Sequence, residues 1–290
     1  MTNKKIGLLQ LSSLTFFLSI SSFPLFIEKI IKISKSDTLI SIIIGSLLTL
    51  IIFKVILVLR KKIKPKNRYI KTIISLLLSP IFIYLLIETT NFIKNSYLSS
   101  GNFFSIIILL LLMCLTISLK SYKEITSLSL ILLFIFIPLF AINIIGGTFS
   151  LDLTYLKVPF TNNVIDIIKG GILFFIYEII PLLLLLFIPY KEIDNRKKQD
   201  KYLYLALIFG ILIVMIEYLI LSLSTSINVL TTYNYPFMLI INSLSSTFIL
   251  GRLNYLISFY LLFSPLLSLS LIICIVKQLW SDKYNPKTLN

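Results

Sequence analysis

Histidine is absent from all 290 residues, which removes Ser-His and Cys-His nucleophile pairs and the commonest metal ligand. Any proton relay has to be built from carboxylates, Tyr, Lys or water. The two cysteines, Cys114 and Cys274, both lie in apolar runs without a CxxC pattern, so neither a disulfide frame nor a metal site is indicated. The chain has no phosphate-binding glycine loop, nucleotide motif or metal-ligand cluster. ATP-driven transport by this chain alone is therefore unsupported, no cofactor is expected, and no catalytic constellation suggests an enzyme. Charge is also scarce: 13% of the residues are Asp, Glu, Lys or Arg, against about a quarter in soluble domains. Hydrophobic residues make up 57% and the mean hydropathy is +0.98, more apolar surface than a water-soluble fold can hide.

What is abundant is long apolar runs. They recur at about 20 residues, enough to cross roughly 30 Å of hydrocarbon. Without water at that depth the backbone must close its own hydrogen bonds, which predicts helices. The short alternating segments of a transmembrane β-barrel are missing. The runs predict one integral membrane domain over 1–290, an all-α bundle with eight spans at about 7–31, 38–59, 70–94, 103–119, 124–147, 170–189, 202–226 and 253–277. A shorter apolar piece, 235–249, suits a re-entrant or interfacial helix. Lys4 and Lys5 precede the first run as in a signal peptide, but the run is too long and lacks a small-residue cleavage site, so it is expected to stay attached.

The net charge of +15 is distributed as a topology signal and not as a nucleic-acid surface. With the N-terminus inside, the inner side collects nineteen Lys and Arg: two at Lys4 and Lys5, seven from Arg60 to Lys71, two at Lys120 and Lys123, five from Lys191 to Lys201, and three at Lys277, Lys283 and Lys287. The outer side collects seven, at Lys29, Lys32, Lys35, Lys94, Lys157, Lys169 and Arg252, and Lys54 can snorkel inward. That bias predicts both termini in the cytoplasm, provided 235–249 does not cross. It also predicts anionic-lipid contacts for the KKIKPKNRYIK and KEIDNRKKQDK loops.

Ionisable residues inside spans cost about 2.5–3.5 kcal/mol each on insertion scales and so mark functional candidates. Glu88, Glu178 and Glu217 meet that description. Pro181 follows Glu178 by three residues and removes the donor for the Tyr177 carbonyl, freeing a backbone oxygen beside a carboxylate. Ser19, Ser21 and Ser22 precede Pro24 in the first span, a second place for an interrupted helix. Polar breaks in spans one and six, with an acid in span three, match the way transporters build midplane sites from discontinuous helices. Each feature also has a plain structural reading, as a kink, a packing hydroxyl or a glutamate bonded to a neighbouring helix.

Several segments resemble, in order, those of the spore-germination receptor B-subunit family, the endospore permeases of the amino acid–polyamine–organocation superfamily. They are the opening KKIGLLQLSSLTFFLSISSFPLF, the stretch ETTNFIKNSYL from Glu88, KSYKEITSLSLI entering span five, FFIYEIIP around Glu178, TYNYPFMLIINSL, and GRLNYLISFYLLFSPL. The similarity covers about residues 4–285. It implies a LeuT-like fold with discontinuous helices 1 and 6. It also implies a role in sensing nutrients such as amino acids, in complex with an A-subunit membrane protein and a C-subunit lipoprotein. The family's pocket carries onto Ser19, Ser21, Ser22, Phe23, Glu88, Tyr177 and Glu178, with Glu88 and Glu178 as candidate ion or proton carriers. Phe17 and Ser19 stand where the family has a glycine pair. The chain stops at Asn290, where the family continues through two more helices, so a shortened member is expected. The sequence therefore suggests a germinant-receptor subunit, with a cation- or proton-coupled amino-acid permease and a non-transporting membrane scaffold as rivals.

Overall fold

The computed structural model describes residues 5–62, 68–148, 151–155, 162–190, 193–194, 198–239 and 259–281. Each apolar run within them carries helix: α1 (Leu8–Ile20), α2 (Phe23–Ser34), α3 (Thr38–Lys62), α4 (Arg68–Ser96), α5 (Phe103–Ser118), α6 (Tyr122–Thr148), α7 (Val164–Leu183), α8 (Gln199–Ser224), the short α9 (Ile227–Thr232) and α10 (Tyr260–Trp280). The described residues contain no strand, only an isolated parallel bridge between Ile6 and Ile193. The short apolar piece expected at 235–249 lies outside the described residues beyond Leu239, as does the expected span start at 253.

Helix starts follow capping chemistry. Asn102 accepts from the Phe104 amide at 3.0 Å and Asn163 from the Ile165 amide at 3.2 Å, each satisfying a first-turn donor. At the start of α6, the Glu124 carboxylate reaches back to the Ser121 amide at 2.8 Å, half of a capping box.

The first apolar run holds two helices. Pro24 has no N–H to offer the carbonyl of Ile20, and α1 ends there. The Leu25 and Phe26 amides both turn to the Ser22 carbonyl, at 3.1 and 3.0 Å. Ser21 (φ −64°, ψ −33°) and Ser22 (φ −90°, ψ −19°) keep right-handed helical dihedrals. The chain is thus interrupted in its hydrogen bonding without being unwound. By contrast, α7 runs unbroken through Glu178 and Pro181 and tightens into a 3-10 turn only at Leu184–Phe187.

Small residues let α3 and α7 approach closely. α3 lies along α7, and a Cβ on Gly45 would come within 2.5 Å of the Gly171 carbonyl oxygen. Ser41, Gly45 and Thr49, four residues apart, form the α3 side of this seam; Ser41 donates to the Ile167 carbonyl at 2.9 Å. α1 packs on α8 and α6, while α10 lies against α4, α5 and α6 and is buried along nearly its whole length.

Contacts group the connections at two ends. At one, the Asp194 amide donates to Ile6 at 2.9 Å, Lys61 pairs with Asp200 at 2.5 Å, Lys277 donates to the Leu119 carbonyl at 2.8 Å, and Trp280 bonds Ser75 at 3.0 Å. At the other, the Asn162 amide donates to Asp37 at 2.8 Å and the Asp152 amide to the Leu223 carbonyl at 2.8 Å.

Large apolar side chains face outward between these ends, among them Ile51, Leu76, Leu109, Leu112, Phe134 and Ile137. Such a belt would aggregate in water and is satisfied by lipid. Among the described residues, six segments are long and apolar enough to cross a membrane: Leu8–Lys61 (containing α1 to α3), Tyr69–Ser96, Tyr122–Ile145, Val164–Phe187, Gln199–Ser224 and Tyr260–Trp280. α5, with 16 residues, spans about 24 Å at 1.5 Å per residue. The architecture is that of a helical membrane bundle.

Candidate functional site

α2, α4 and α7 bring together two of the sequence candidates. Glu88 and Tyr84 sit four residues apart on one face of α4, and Lys29 stands three residues beyond Phe26 on α2. The Lys29 ammonium donates to Glu88 Oε1 at 2.9 Å and to the Tyr84 hydroxyl at 2.8 Å. The Tyr177 ring of α7 completes the group. Phe26 stacks on Tyr177 with centroids 4.1 Å apart and on Tyr84 at 5.5 Å, and the Lys29 nitrogen lies 5.0, 5.3 and 5.9 Å from the Phe26, Tyr84 and Tyr177 rings. The Lys29 side chain is 38% exposed and that of Glu88 18%, so the pair is reachable from outside the bundle.

Glu178, the neighbour of Tyr177, faces elsewhere. One residue turns a helix by about 100°, and its carboxylate enters the α3–α7 seam. There the Thr49 hydroxyl lies 2.8 Å from Oε2 and also 3.0 Å from the Gly45 carbonyl. Oε1 is buried without a partner. The two adjacent candidates therefore belong to different surroundings, one aromatic and half open, the other closed.

The first-span candidates line the interruption between α1 and α2. Ser19 and Ser21 turn their hydroxyls back to the Phe16 and Leu18 carbonyls, at 2.7 and 2.9 Å. Ser19 faces α8, where a Cβ on Gly210 would fall 1.9 Å from its oxygen. Ser22 is buried, and Phe23 packs edge-on against Phe237 at 4.8 Å. None of the described contacts ties these residues to the Lys29–Glu88 pair.

A third polar centre lies between α6, α8 and α10. Tyr260 donates to Glu217 Oε1 at 2.6 Å and accepts from Asn143 Nδ2 at 2.9 Å, and all three residues are buried. A cavity of about 10 Å³, close to the minimum for one water, is lined by Glu217, Tyr260 and Ser264 together with Ile20 and Pro24 from the interruption. Asn143 Oδ1 is buried and unpartnered.

In the sequence Lys29 reads as an outer flanking charge, and no motif marks Tyr84, Asn143 or Tyr260. The spacings Phe26 to Lys29 and Tyr84 to Glu88 carry a readable signal, since both put their members on one helix face. Among the described residues no group of acids and cysteines could hold a metal ion. Comparison with protein families, with curated proteins and with solved structures finds no match to this chain.

Proposed function

We propose that the chain is the membrane subunit of a nutrient germinant receptor, with both termini cytoplasmic, that binds an amino-acid-like ligand among α2, α4 and α7. In this reading the fold is LeuT-like, and the interruption at Ser21–Ser22 and the 3-10 turn at Leu184–Phe187 that follows α7 are its moving parts. Ligand binding biases them, and the change passes to an A-subunit membrane protein and a C-subunit lipoprotein. A ligand can shift such an equilibrium only by its differential affinity for the two states. The observation that carries the reading is the convergence of Glu88 and Tyr177 on Lys29, on the segment immediately after the α1–α2 interruption. The ordered sequence resemblance over about residues 4–285 supplies the rest. Deleting the gene in its host should slow germination with at least one of a panel of amino acids, and Glu88→Gln should fail to restore the response that the unaltered gene restores. Unchanged germination across the panel overturns the reading.

The buried carboxylates Glu178 and Glu217 favour a second reading, a cation- or proton-coupled amino-acid permease, because neither has a cationic side chain among its bonded partners. Accumulation of an amino acid in proteoliposomes that requires an imposed pH gradient, and is lost in Glu178→Gln or Glu217→Gln, selects the permease.

A further inference from the structure

Lys29 is held by more than an ion pair. Its ammonium has three donors; two go to Glu88 and Tyr84, and all three aromatic rings lie within the roughly 6 Å over which a ring face attracts a cation. Phe26 stacks nearly parallel to Tyr177, at 7°, and to Tyr84, at 9°, so the three rings form one ordered aromatic cluster beside one carboxylate. That combination of aromatic faces, a phenol and a single acid is what recognises an amine, and a lysine that merely flanks a membrane span does not need it. The charge is carried on a flexible stem from α2, which begins only at Phe23, so it can leave without unfolding α4 or α7. Above the cage, Phe92 lies one turn beyond Glu88 and packs on Tyr235 at 5.1 Å. Tyr235 with Asn95 and Ser96 lines a cleft of about 410 Å³, within the usual range for small-molecule sites.

We propose that Phe26, Tyr84, Glu88 and Tyr177 form a recognition site for the ammonium group of a primary amine, that Lys29 fills it as a tethered stand-in, and that a ligand arriving through the Asn95–Tyr235 cleft displaces Lys29. The proposal rests on the ligand-binding reading above for the biological ligand, and it assigns that ligand an amino group as the feature read most deeply. Ligand-free chain is then self-occupied, and the affinity of any amine is lowered by the cost of releasing Lys29.

The test uses the full chain in lipid nanodiscs, with methylammonium chloride as the probe, potassium chloride as the ionic-strength control and potassium acetate as the opposite charge. Lys29→Met should show saturable thermal stabilisation by methylammonium at concentrations about tenfold below those needed by the unaltered chain or Lys29→Arg. Lys29→Met with Glu88→Gln should show none. Lys29→Gln, which removes the charge but whose amide can still bond Glu88, should give a smaller gain in the same direction if Lys29→Met does not fold. Absence of any methylammonium effect in the folded variants overturns the proposal, as does an effect that survives Glu88→Gln. Stabilisation of the unaltered chain by acetate that disappears in Lys29→Met also overturns it, by making Lys29 the anchor of a ligand carboxylate. A germination phenotype that never appears removes the receptor reading while leaving the methylammonium result standing, so the two failures are distinguishable.

Discussion

Thr49 on α3 reaches the Glu178 carboxylate on α7 at 2.8 Å, and its single hydroxyl hydrogen also faces the Gly45 carbonyl at 3.0 Å. The two helices approach closely along this seam, so a polar atom left there has no water to turn to. Thr49→Val should therefore cost about 1–3 kcal/mol, the usual penalty for stranding a buried polar group. Thr49→Ser should cost little. Removing both partners, as Thr49→Val with Glu178→Leu, should recover most of the loss. Reversible unfolding in detergent micelles, read as a double-mutant cycle, checks this; additive losses would mean that the pair does not interact.

Close approach at Gly45 and at Gly210 should respond differently to the same substitution. A Cβ at Gly45 meets backbone, the Gly171 oxygen at 2.5 Å, together with Phe174 at 2.7 Å. Backbone cannot rotate away, so Gly45→Ala must push α3 off α7 and should lower stability by about 1–3 kcal/mol. A Cβ at Gly210 meets chiefly the Ser19 hydroxyl. Ser19→Ala should accordingly rescue much of Gly210→Ala, whereas no single side-chain truncation rescues Gly45→Ala. Thermal midpoints of Gly45→Ala with and without Phe174→Ala, and of Gly210→Ala with and without Ser19→Ala, separate the cases, and equal rescue at both sites would contradict the geometry.

How far the sequence could be read follows from the same residues. Helix was legible because unbroken apolar runs leave the backbone no other partner; a proline's missing N–H marks both Pro24, where α1 gives way to α2, and Pro181, which α7 passes without a break. Which helix each face meets was not legible. Tyr177 and Glu178 are neighbours in the chain and share one expected pocket, but a 100° step sends the first to Phe26 and the second to Thr49. Lys29 looked like a boundary charge because its partner, Glu88, is 59 residues away. Tyr260 gave no signal at all, since an apolar run tolerates a tyrosine and only its contact with Glu217 makes it polar in effect. Periodicity reports which residues share a face, and chemistry across helices is decided by packing that periodicity does not contain.

Tyr260 joins two buried groups through one oxygen, accepting from Asn143 and donating to Glu217. Tyr260→Phe strands both at once, beside a cavity with room for about one water. The loss should exceed that of Asn143→Leu, which removes one partner and leaves the Glu217 bond intact; for Tyr260→Phe about 2–4 kcal/mol is expected. Because Ile20 and Pro24 line the same cavity, Tyr260→Phe should also speed amide hydrogen exchange in Phe23–Ile27. Destabilisation without faster exchange in that segment would separate the network from the α1–α2 interruption.

Orientation offers the most direct experiment. Lys61–Asp200, Lys277–Leu119 and Ile6–Asp194 gather the connections at one end, and Asp37–Asn162 and Asp152–Leu223 gather others at the opposite end. These contacts group the segments by end, and the charge bias of nineteen Lys and Arg against seven predicts which end faces the cytoplasm. Both native cysteines are buried, so introduced cysteines can be labelled against a quiet background. Lys35→Cys and Lys169→Cys, both exposed, should react with a membrane-impermeant maleimide on intact cells, and Lys120→Cys and Lys201→Cys only after permeabilisation. Labelling of all four in intact cells, or the reverse pattern, would overturn the orientation. A split within either pair would overturn the grouping of the ends, which the charge count does not enter.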